Sequence, residues 1–260
     1  MLINNGIDIN CMWGSWPFRK LYKNKFSDLQ QIHKENGIAY GYVSCMNSIF
    51  YQDPFEGEED LHEVLKGTPY QHILTVNPML PAYESDIERG VKEFDIKGVR
   101  VFPTYHHYPL NDKRFRGLCD LLKKYRLPLF LTTHVEDERF DYLLLQSQIN
   151  IPDELMTFLH TVTDIPILLM SLRVGSIPYI GKEIREMPNV YIDTSCFKDP
   201  VACVEELTAE LGDKKIIYGS QYPLNVLRST LYEVTMAKIP EESKNRILRG
   251  NAIDFFNYKF

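Results

Sequence analysis

The sequence predicts a closed (β/α)8 barrel, an α/β fold, formed by a single domain over residues 1–260. Three observations carry this prediction. Short apolar runs rich in Val, Ile, Leu and Tyr recur along the whole chain, and helical patterns lie between several of them. Each strand–helix unit takes about 30 residues, as a right-handed crossover between parallel strands requires. A chain of 260 residues is long enough for one such barrel.

Eight runs are the predicted strands. Each is too short for a stable helix and is rich in Val, Ile, Leu or Tyr, as expected of a strand buried in a parallel sheet. In chain order they are residues 6–10, 38–45, 72–77, 97–102, 128–134, 166–171, 190–194 and 215–220.

Helical patterns fill four of the intervals between these strands, at residues 26–36, 84–94, 112–126 and 152–163. The first ends before Gly37, a residue type common just after a helix. Two further segments are predicted as long excursions at the C-terminal face of the barrel: a polar, acidic insertion at 48–68 and the stretch 135–151. An open doubly wound sheet is the alternative fold, disfavoured because no G-x-G-x-x-G follows the first strand.

Composition excludes several classes of protein. The net charge is −6 and Lys and Arg are not clustered, which argues against a nucleic-acid partner. The five Cys include no CxxC pair, a pattern typical of free thiols in a reducing compartment. The first ten residues lack the basic and apolar regions of a secretion signal, and no apolar run reaches the ~20 residues of a membrane span. We therefore expect a cytoplasmic protein without membrane association; self-association stays open.

The C-terminal ends of the predicted strands bring polar side chains to one place, because these ends converge on one face of a barrel. The positions are Asp8-Ile9-Asn10-Cys11-Met12, Arg100 to Pro103, His134, Ser171 with Arg173, Asp193 and Gln221.

Six stretches around these ends carry a family resemblance. They read IDINCMWG, KGVRVFPTYHHYPLND, PLFLTTH, PILLMSLRVG, KIIYGSQYPL and ILRGNAIDFF, and they span nearly the whole chain in order. In them the chain resembles the amidohydrolase superfamily, specifically the amidohydrolase-related group of carboxymuconate-semialdehyde-type decarboxylases and metal-dependent hydrolases. The resemblance implies the same barrel, with D-x-H-x-H after strand one, His after strands five and six, and Asp after strand eight, holding one or two divalent metals that activate water.

This sequence departs from that pattern at most of the metal ligands. Asn10 and Met12 stand where the pattern has its two strand-one histidines, Ser171 replaces the strand-six histidine, and Gln221 replaces the strand-eight aspartate. His134 alone is retained. Neutral amide oxygens are poor zinc ligands, thioether sulfur suits Cu(I), and catalytic zinc needs about three His or carboxylate ligands. We therefore expect a divergent member with no family-type metal centre and no cofactor.

His134 and Gln221 are the predicted catalytic positions. His134 is the candidate base, although an inward histidine with satisfied hydrogen bonds would look the same in sequence. Gln221 cannot accept a proton and so cannot take over the role of the lost aspartate. No G-x-S-x-G motif supports a triad with Ser171 or Ser220.

Two arginines are predicted to contact the substrate. Arg173 and Arg100 either hold a ligand carboxylate, whose geometry a guanidinium matches, or pair with a local acid such as Asp193 or Asp137. The other predicted contact residues are Asn10, Met12, His106 and Ser171. Cys11 is expected to be a small buried apolar residue, and the aromatic run Trp13, Trp16, Phe18 to be packing or a pocket wall.

Two functional hypotheses follow. The first is a metal-independent enzyme, a lactonase-like hydrolase or a decarboxylase, acting on a small carboxylated substrate. The second is a non-catalytic barrel, a pseudoenzyme, that binds a small molecule or a protein through the same mouth. A mouth plugged by Met12, Trp13 or the long loops would favour the second hypothesis.

Overall fold

The predicted barrel is confirmed. The computed structural model describes residues 5–136, 153–197 and 203–259. Eight parallel strands lie side by side in sequence order. They are β1 (Gly6–Trp13), β2 (Ile38–Cys45), β3 (Gln71–Thr75), β4 (Gly98–Val101), β5 (Leu129–Thr132), β6 (Ile167–Met170), β7 (Val190–Asp193) and β8 (Ile216–Ile217).

Hydrogen bonds between β1 and the residues that follow β8 close the barrel. The amide of Ile9 donates to the carbonyl of Tyr218 at 3.0 Å, and the amide of Met12 donates to the carbonyl of Tyr222 at 2.8 Å. Gln221 donates from its backbone amide to the carbonyl of Asn10 at 2.7 Å, so the two strand ends that the sequence placed side by side are in contact.

Helices lie between the strands and after the last of them. In chain order they are α1 (Phe26–Glu35), α2 (Pro54–Leu65), α3 (Tyr83–Glu93), the short α4 (Pro103–His106), α5 (Lys113–Tyr125), α6 (Asp153–Thr161), α7 (Ile177–Glu186), α8 (Cys203–Leu211), α9 (Leu227–Thr235), α10 (Glu241–Asn245) and α11 (Asn251–Phe256). The four helices predicted from sequence are present as α1, α3, α5 and α6. Across the described residues, no helix is both long and apolar enough to span a bilayer.

The prediction for residues 48–68 was wrong. The segment contains α2, which is the ordinary crossover helix between β2 and β3 rather than a loop at the barrel mouth. The helix starts because Asp53 accepts a hydrogen bond from the amide of Phe55 at 3.0 Å and Pro54 occupies the first turn. Acidic residues hide its apolar stripe in the sequence, yet Phe55, Leu61 and Leu65 are buried. Apart from its first two residues, the predicted segment 135–151 lies outside the described residues.

A bulge in β1 sets the side chains of the site. Asp8 pairs with Gly41, whereas Cys11 pairs with Val43, so β1 uses one residue more than β2 over this stretch. The alternation of faces is interrupted there. Ile9 joins the apolar cluster inside the barrel and Asn10 also reaches inward, while Cys11 packs in the layer between the barrel and its helices.

The two ends of the barrel interior differ in polarity. The end opposite the strand C-termini is filled by α11, where the ring of Phe255 meets that of Phe130 edge-on at 5.8 Å and Phe256 stacks on Tyr42 at 4.1 Å. The end at the strand C-termini holds buried polar residues instead: Asn10, Ser44, Arg100, Thr132 and Asp193.

Candidate functional site

A fully buried arginine lies at the centre of this polar end. Arg100 is on β4, and its neighbours Val99 and Val101 pack outward. Its Nε donates to the Thr132 hydroxyl at 2.9 Å, and its Nη1 donates to Oδ1 of Asn10 at 3.0 Å. Its Nη2 has no hydrogen-bond partner in the part of the chain that the structure describes. Burial lowers the pKa of Arg100 to about 10, so the side chain remains a cation near neutral pH.

Asn10 links this cation to a buried acid. Its amide Nδ2 donates to Oδ2 of Asp193 at 2.6 Å while its Oδ1 accepts from Arg100, so Asn10 bridges the two charges. The other oxygen of Asp193 accepts from the Ser171 amide at 2.7 Å and from the Ser195 hydroxyl at 3.0 Å. Burial raises the pKa of Asp193 to about 6 against these hydrogen bonds and the Arg100 charge, which lower it. We call Asn10, Arg100 and Asp193 the polar centre.

Gly219 leaves room for the polar centre. A Cβ at this position would lie 2.8 Å from both Cβ of Asn10 and Oδ2 of Asp193. We expect Gly219→Ala to lower the free energy of unfolding by about 1–3 kcal/mol, the usual cost of overpacking a rigid interior. Chemical denaturation measures it. Gly175→Ala, where a Cβ would meet nothing within 4 Å, is the matched control, and equal losses in the two variants would contradict the prediction.

His134 and Arg173 meet at the rim, after β5 and β6. One terminal nitrogen of Arg173 lies 3.2 Å from both ring nitrogens of His134. Both side chains are partly exposed, unlike the polar centre below them. The pairing of Arg173 with Asp193 that the sequence left open is not formed, because both oxygens of Asp193 are taken by Asn10, Ser171 and Ser195. Asp137, the other acid considered, lies outside the described residues.

Gln221 is bonded on both sides of its amide. Its side-chain nitrogen Nε2 donates to the carbonyl of Val135 at 2.6 Å, and its Oε1 accepts from the side-chain amide of Asn225 at 2.9 Å. The backbone of Gln221 is in the left-handed region at φ 55°, as is that of Ser171 at φ 57°. A non-glycine residue in this region is held by its surroundings, often at functional sites. Gln221 thus ties the chain after β8 to the chain after β5, beside His134.

Apolar side chains cover the polar centre. Met12 and Trp16 are buried in a cluster at the strand C-termini, here called the mouth cluster, whose other fully buried members are Met46, Ile49, Phe102, Val135 and Leu224. The rings of Phe18, Phe50 and Tyr105 surround Trp16 edge-on at 5.5–5.9 Å. Of the residues expected to plug the mouth of a non-catalytic barrel, Met12 lies in this cluster, whereas Trp13 packs against the layer between the barrel and its helices.

His106 lies at the edge of the mouth cluster. Its Nε2 bonds to the carbonyl of Ile49 at 2.9 Å, which joins the chain after β4 to the chain after β2. Burial lowers the pKa of His106 to about 4, so the ring is neutral at physiological pH. Its predicted role as a substrate contact stays a prediction.

A second polar group lies on the outer side of β1, beneath α1. His33 of α1 places Nε2 3.2 Å from Oδ2 of Asp8 and 3.9 Å from Sγ of Cys11, and its Nδ1 lies 3.0 Å from the Tyr70 hydroxyl. Asp8 also accepts from the Ser220 amide at 2.9 Å, which anchors the chain after β8 to β1. These hydrogen bonds account for the buried carboxylate. Sequence analysis missed His33 and Tyr70, because a single histidine on an amphipathic helix carries no signal.

The chain resembles known proteins in sequence and in fold. Residues 175–258 match the family model described as Amidohydrolase. Over this part of the chain the sequence is similar to the amidohydrolase superfamily. None of the curated proteins compared with the sequence matches it.

Solved structures of several decarboxylases superpose on this barrel along almost their whole length. The 2,6-dihydroxybenzoate decarboxylase from Rhizobium is 13% identical at a TM-score of 0.70, covering 98% of this chain and 99% of its own. The 5-carboxyvanillate decarboxylase from Sphingomonas paucimobilis is 14% identical at 0.72, covering 98% and 99%. A dihydroxybenzoic acid decarboxylase from Polaromonas, solved with manganese and 2-nitroresorcinol, is 14% identical at 0.72, covering 98% and 97%. At such identities the likeness shows the fold.

The described residues at the strand ends do not fit the divalent metal of this superfamily. The Asn10 amide oxygen faces the Arg100 guanidinium, a cation that would repel a metal bound beside it. Met12 lies in an apolar cluster, and both ends of the Gln221 amide are already bonded. The Ser171 hydroxyl is 2.9 Å from that of Ser195. Among the described residues, the three ligand-type side chains that do converge, Asp8, Cys11 and His33, lie on the outer side of β1 beneath α1 and not at the polar centre or the mouth cluster.

Proposed function

We propose that this amidohydrolase-type barrel binds a small carboxylated compound at its mouth and converts it without a metal, as a decarboxylase or a lactonase-like hydrolase. The observation that carries the proposal is Arg100. A buried guanidinium with only neutral hydrogen-bond partners, and with one nitrogen lacking any among the described residues, is costly unless a further acceptor completes it. A ligand carboxylate is such an acceptor.

Arg173 and His134 supply the outer half of the proposed site. In its neutral form His134 has one unprotonated ring nitrogen, which can accept a hydrogen bond from Arg173 across the 3.2 Å contact or take a proton as a base. In hydrolysis, His134 would take a proton from water. In decarboxylation of a hydroxyaryl acid, it would take the hydroxyl proton and return it to the ring carbon that loses CO2. The fold neighbours that act on dihydroxybenzoate and carboxyvanillate support the second reaction.

The second candidate is a non-catalytic barrel. It is supported by the mouth cluster, in which Met12 is 2% exposed and Trp16 5% exposed, and by Gln221, which serves as a bridge between two loops. Substrate could reach Arg100 only if this cluster opened. A binding protein whose ligand stays at the rim near Arg173 needs no such opening.

Ligand binding tests the anion site common to both candidates. We expect Arg173→Ala to weaken binding of benzoate and 2,6-dihydroxybenzoate by at least about 1 kcal/mol, the lower range for a hydrogen bond to a charged group. Arg100→Ala, if it folds by circular dichroism, should do the same. Isothermal calorimetry measures the change, and Arg185→Ala on the outside of α7 is the control. Unchanged affinity for these carboxylates in both Arg173→Ala and Arg100→Ala would contradict an anion site at the mouth.

Metal analysis tests the absence of a metal at the mouth. We expect purified protein to hold well under one equivalent of Zn, Mn, Fe or Co bound through His134. We also expect any turnover found in a screen of lactones, esters and aromatic carboxylates to persist in chelator. The reason is the loss of four of the family's ligand positions to Asn10, Met12, Ser171 and Gln221. One equivalent of metal in the parent protein and none in His134→Ala would contradict this prediction.

A further inference from the structure

A built carboxylate site already exists within the mouth, and one of the protein's own side chains fills it. Glu136, two residues after His134, is buried with its side chain 4% exposed. One carboxylate oxygen accepts from the indole Nε1 of Trp16 at 2.8 Å, and the other accepts from Nε of Arg19. Trp16 and Arg19, here called the Glu136 seat, therefore bind both oxygens of one carboxylate.

The Glu136 seat would keep its shape without Glu136. Arg19 also donates from Nη2 to the carbonyl of Leu224 at 2.7 Å, a bond independent of the glutamate. Trp16 is held by the rings of Phe18 and Tyr105 at 5.5 and 5.9 Å. Because each donor has its own second support, removing the carboxylate would leave two donors preorganised for another one.

Arg19 is reachable from solvent, since its side chain is 34% exposed. It belongs to residues 14–25, the capping loop, whose ends are joined by the Asn24 amide donating to the Gly14 carbonyl at 3.3 Å. The loop also carries the exposed residues Lys20, Lys23 and Lys25. These charges would attract anions to the mouth and raise their rate of encounter.

We propose that the Glu136 seat is a ligand-carboxylate subsite, which Glu136 occupies in the ligand-free protein and which an aromatic carboxylate takes over by displacing it. The proposal rests on the proposed function in one respect, that the ligand is a small carboxylate. The two donors select a ligand with an anionic group. The rings of Trp16, Phe18 and Tyr105 around them favour a ligand with an aryl rather than an alkyl body. Glu136 is then an internal competitor of the ligand.

If Glu136 competes with the ligand, removing its charge should raise the affinity for the ligand, whereas removing a glutamate with a purely structural role should not. Glu136→Gln keeps the shape of the side chain but removes its charge, so the seat becomes available in a larger fraction of molecules. We expect Glu136→Gln to bind benzoate about tenfold more tightly than the parent protein, and acetate with a smaller gain. Arg19→Ala should weaken benzoate binding, and in Arg19→Ala/Glu136→Gln the gain should vanish. Glu183→Gln, on the exposed side of α7, should leave affinity unchanged.

Trp16 provides an independent reading. The chain has two tryptophans, so Trp13→Phe leaves Trp16 as the single indole reporter. Benzoate should shift its emission in this background, and Glu136→Gln should move the midpoint of that shift to lower benzoate concentration. If parent protein binds benzoate, Arg173→Ala weakens it, and Glu136→Gln leaves affinity equal or lower, the seat proposal is overturned while the proposed function stands. If neither parent nor any variant binds benzoate, 2,6-dihydroxybenzoate or acetate, both are overturned.

Discussion

Arg100→Leu is expected to lower the free energy of unfolding by about 3–5 kcal/mol at pH 8, the usual cost of leaving a buried charge without its counter-charge. The variant leaves Asp193 ionised and fully buried, with no cation on the far side of Asn10. It also leaves the Asn10 oxygen without its donor. Urea unfolding followed by circular dichroism measures the loss. Arg89→Leu is the control, because Arg89 pairs with Glu59 on an exposed surface and should cost at most about 1 kcal/mol.

The loss should shrink at lower pH. Burial raises the pKa of Asp193 from 3.8 to about 6, so the folded state takes up a proton as pH falls through about 6 while the unfolded state does not. The free energy of unfolding gains from this uptake as pH falls, and the gain fades as pH rises through the folded pKa. Arg100 lowers the pKa of Asp193, and its removal moves the uptake to higher pH. The difference in free energy of unfolding between the parent protein and Arg100→Leu should therefore be smaller at pH 5 than at pH 8. A difference that does not change with pH would contradict the assignment to Asp193.

The strand ends could be predicted from sequence because a parallel barrel brings them together whatever the loops do. The contact between Asn10 and Gln221 and the inward position of Arg100 follow from this rule and from the alternation of faces. The bulge in β1 could not be predicted, since a run of alternating apolar residues does not reveal one extra residue. That bulge is what turns Asn10 towards Arg100 and Cys11 towards His33.

The interactions that close the mouth carried no signal in the sequence. Trp16 and Glu136 are 120 residues apart, and nothing in either neighbourhood indicates their hydrogen bond. Helix α2 was missed for a related reason. Its acidic residues dominate the composition, but one of them, Glu58, points inward to a buried histidine. A pattern of polarity alone cannot tell a solvated acid from one paired inside the protein.

The Glu58 pair joins α2 to β3 and carries the last prediction. Nε2 of His72 lies 2.7 Å from Oε2 of Glu58, and both side chains are buried. The other polar atoms, Oε1 of Glu58 and Nδ1 of His72, have no hydrogen-bond partner among residues 5–136, 153–197 and 203–259. The ring of His72 stacks on Phe94 at 5.6 Å. This single contact therefore stabilises a carboxylate that the apolar surroundings would otherwise disfavour.

His72→Phe should lower the free energy of unfolding by about 3–5 kcal/mol, because phenylalanine keeps the stack on Phe94 but leaves Glu58 buried without a partner. Glu58→Leu/His72→Phe should recover most of this loss, since an apolar pair of similar volume removes the buried charge altogether. Urea unfolding of the three proteins at one pH measures both changes. The exposed pair His160–Glu183 has nearly the same separation, 2.8 Å, and His160→Phe should change stability by at most about 1 kcal/mol. Equal losses in His72→Phe and His160→Phe would mean that burial does not set the strength of the Glu58 pair. A double variant less stable than His72→Phe would mean that the large loss in His72→Phe does not come from an isolated buried charge, and that the pair itself holds α2 against β3.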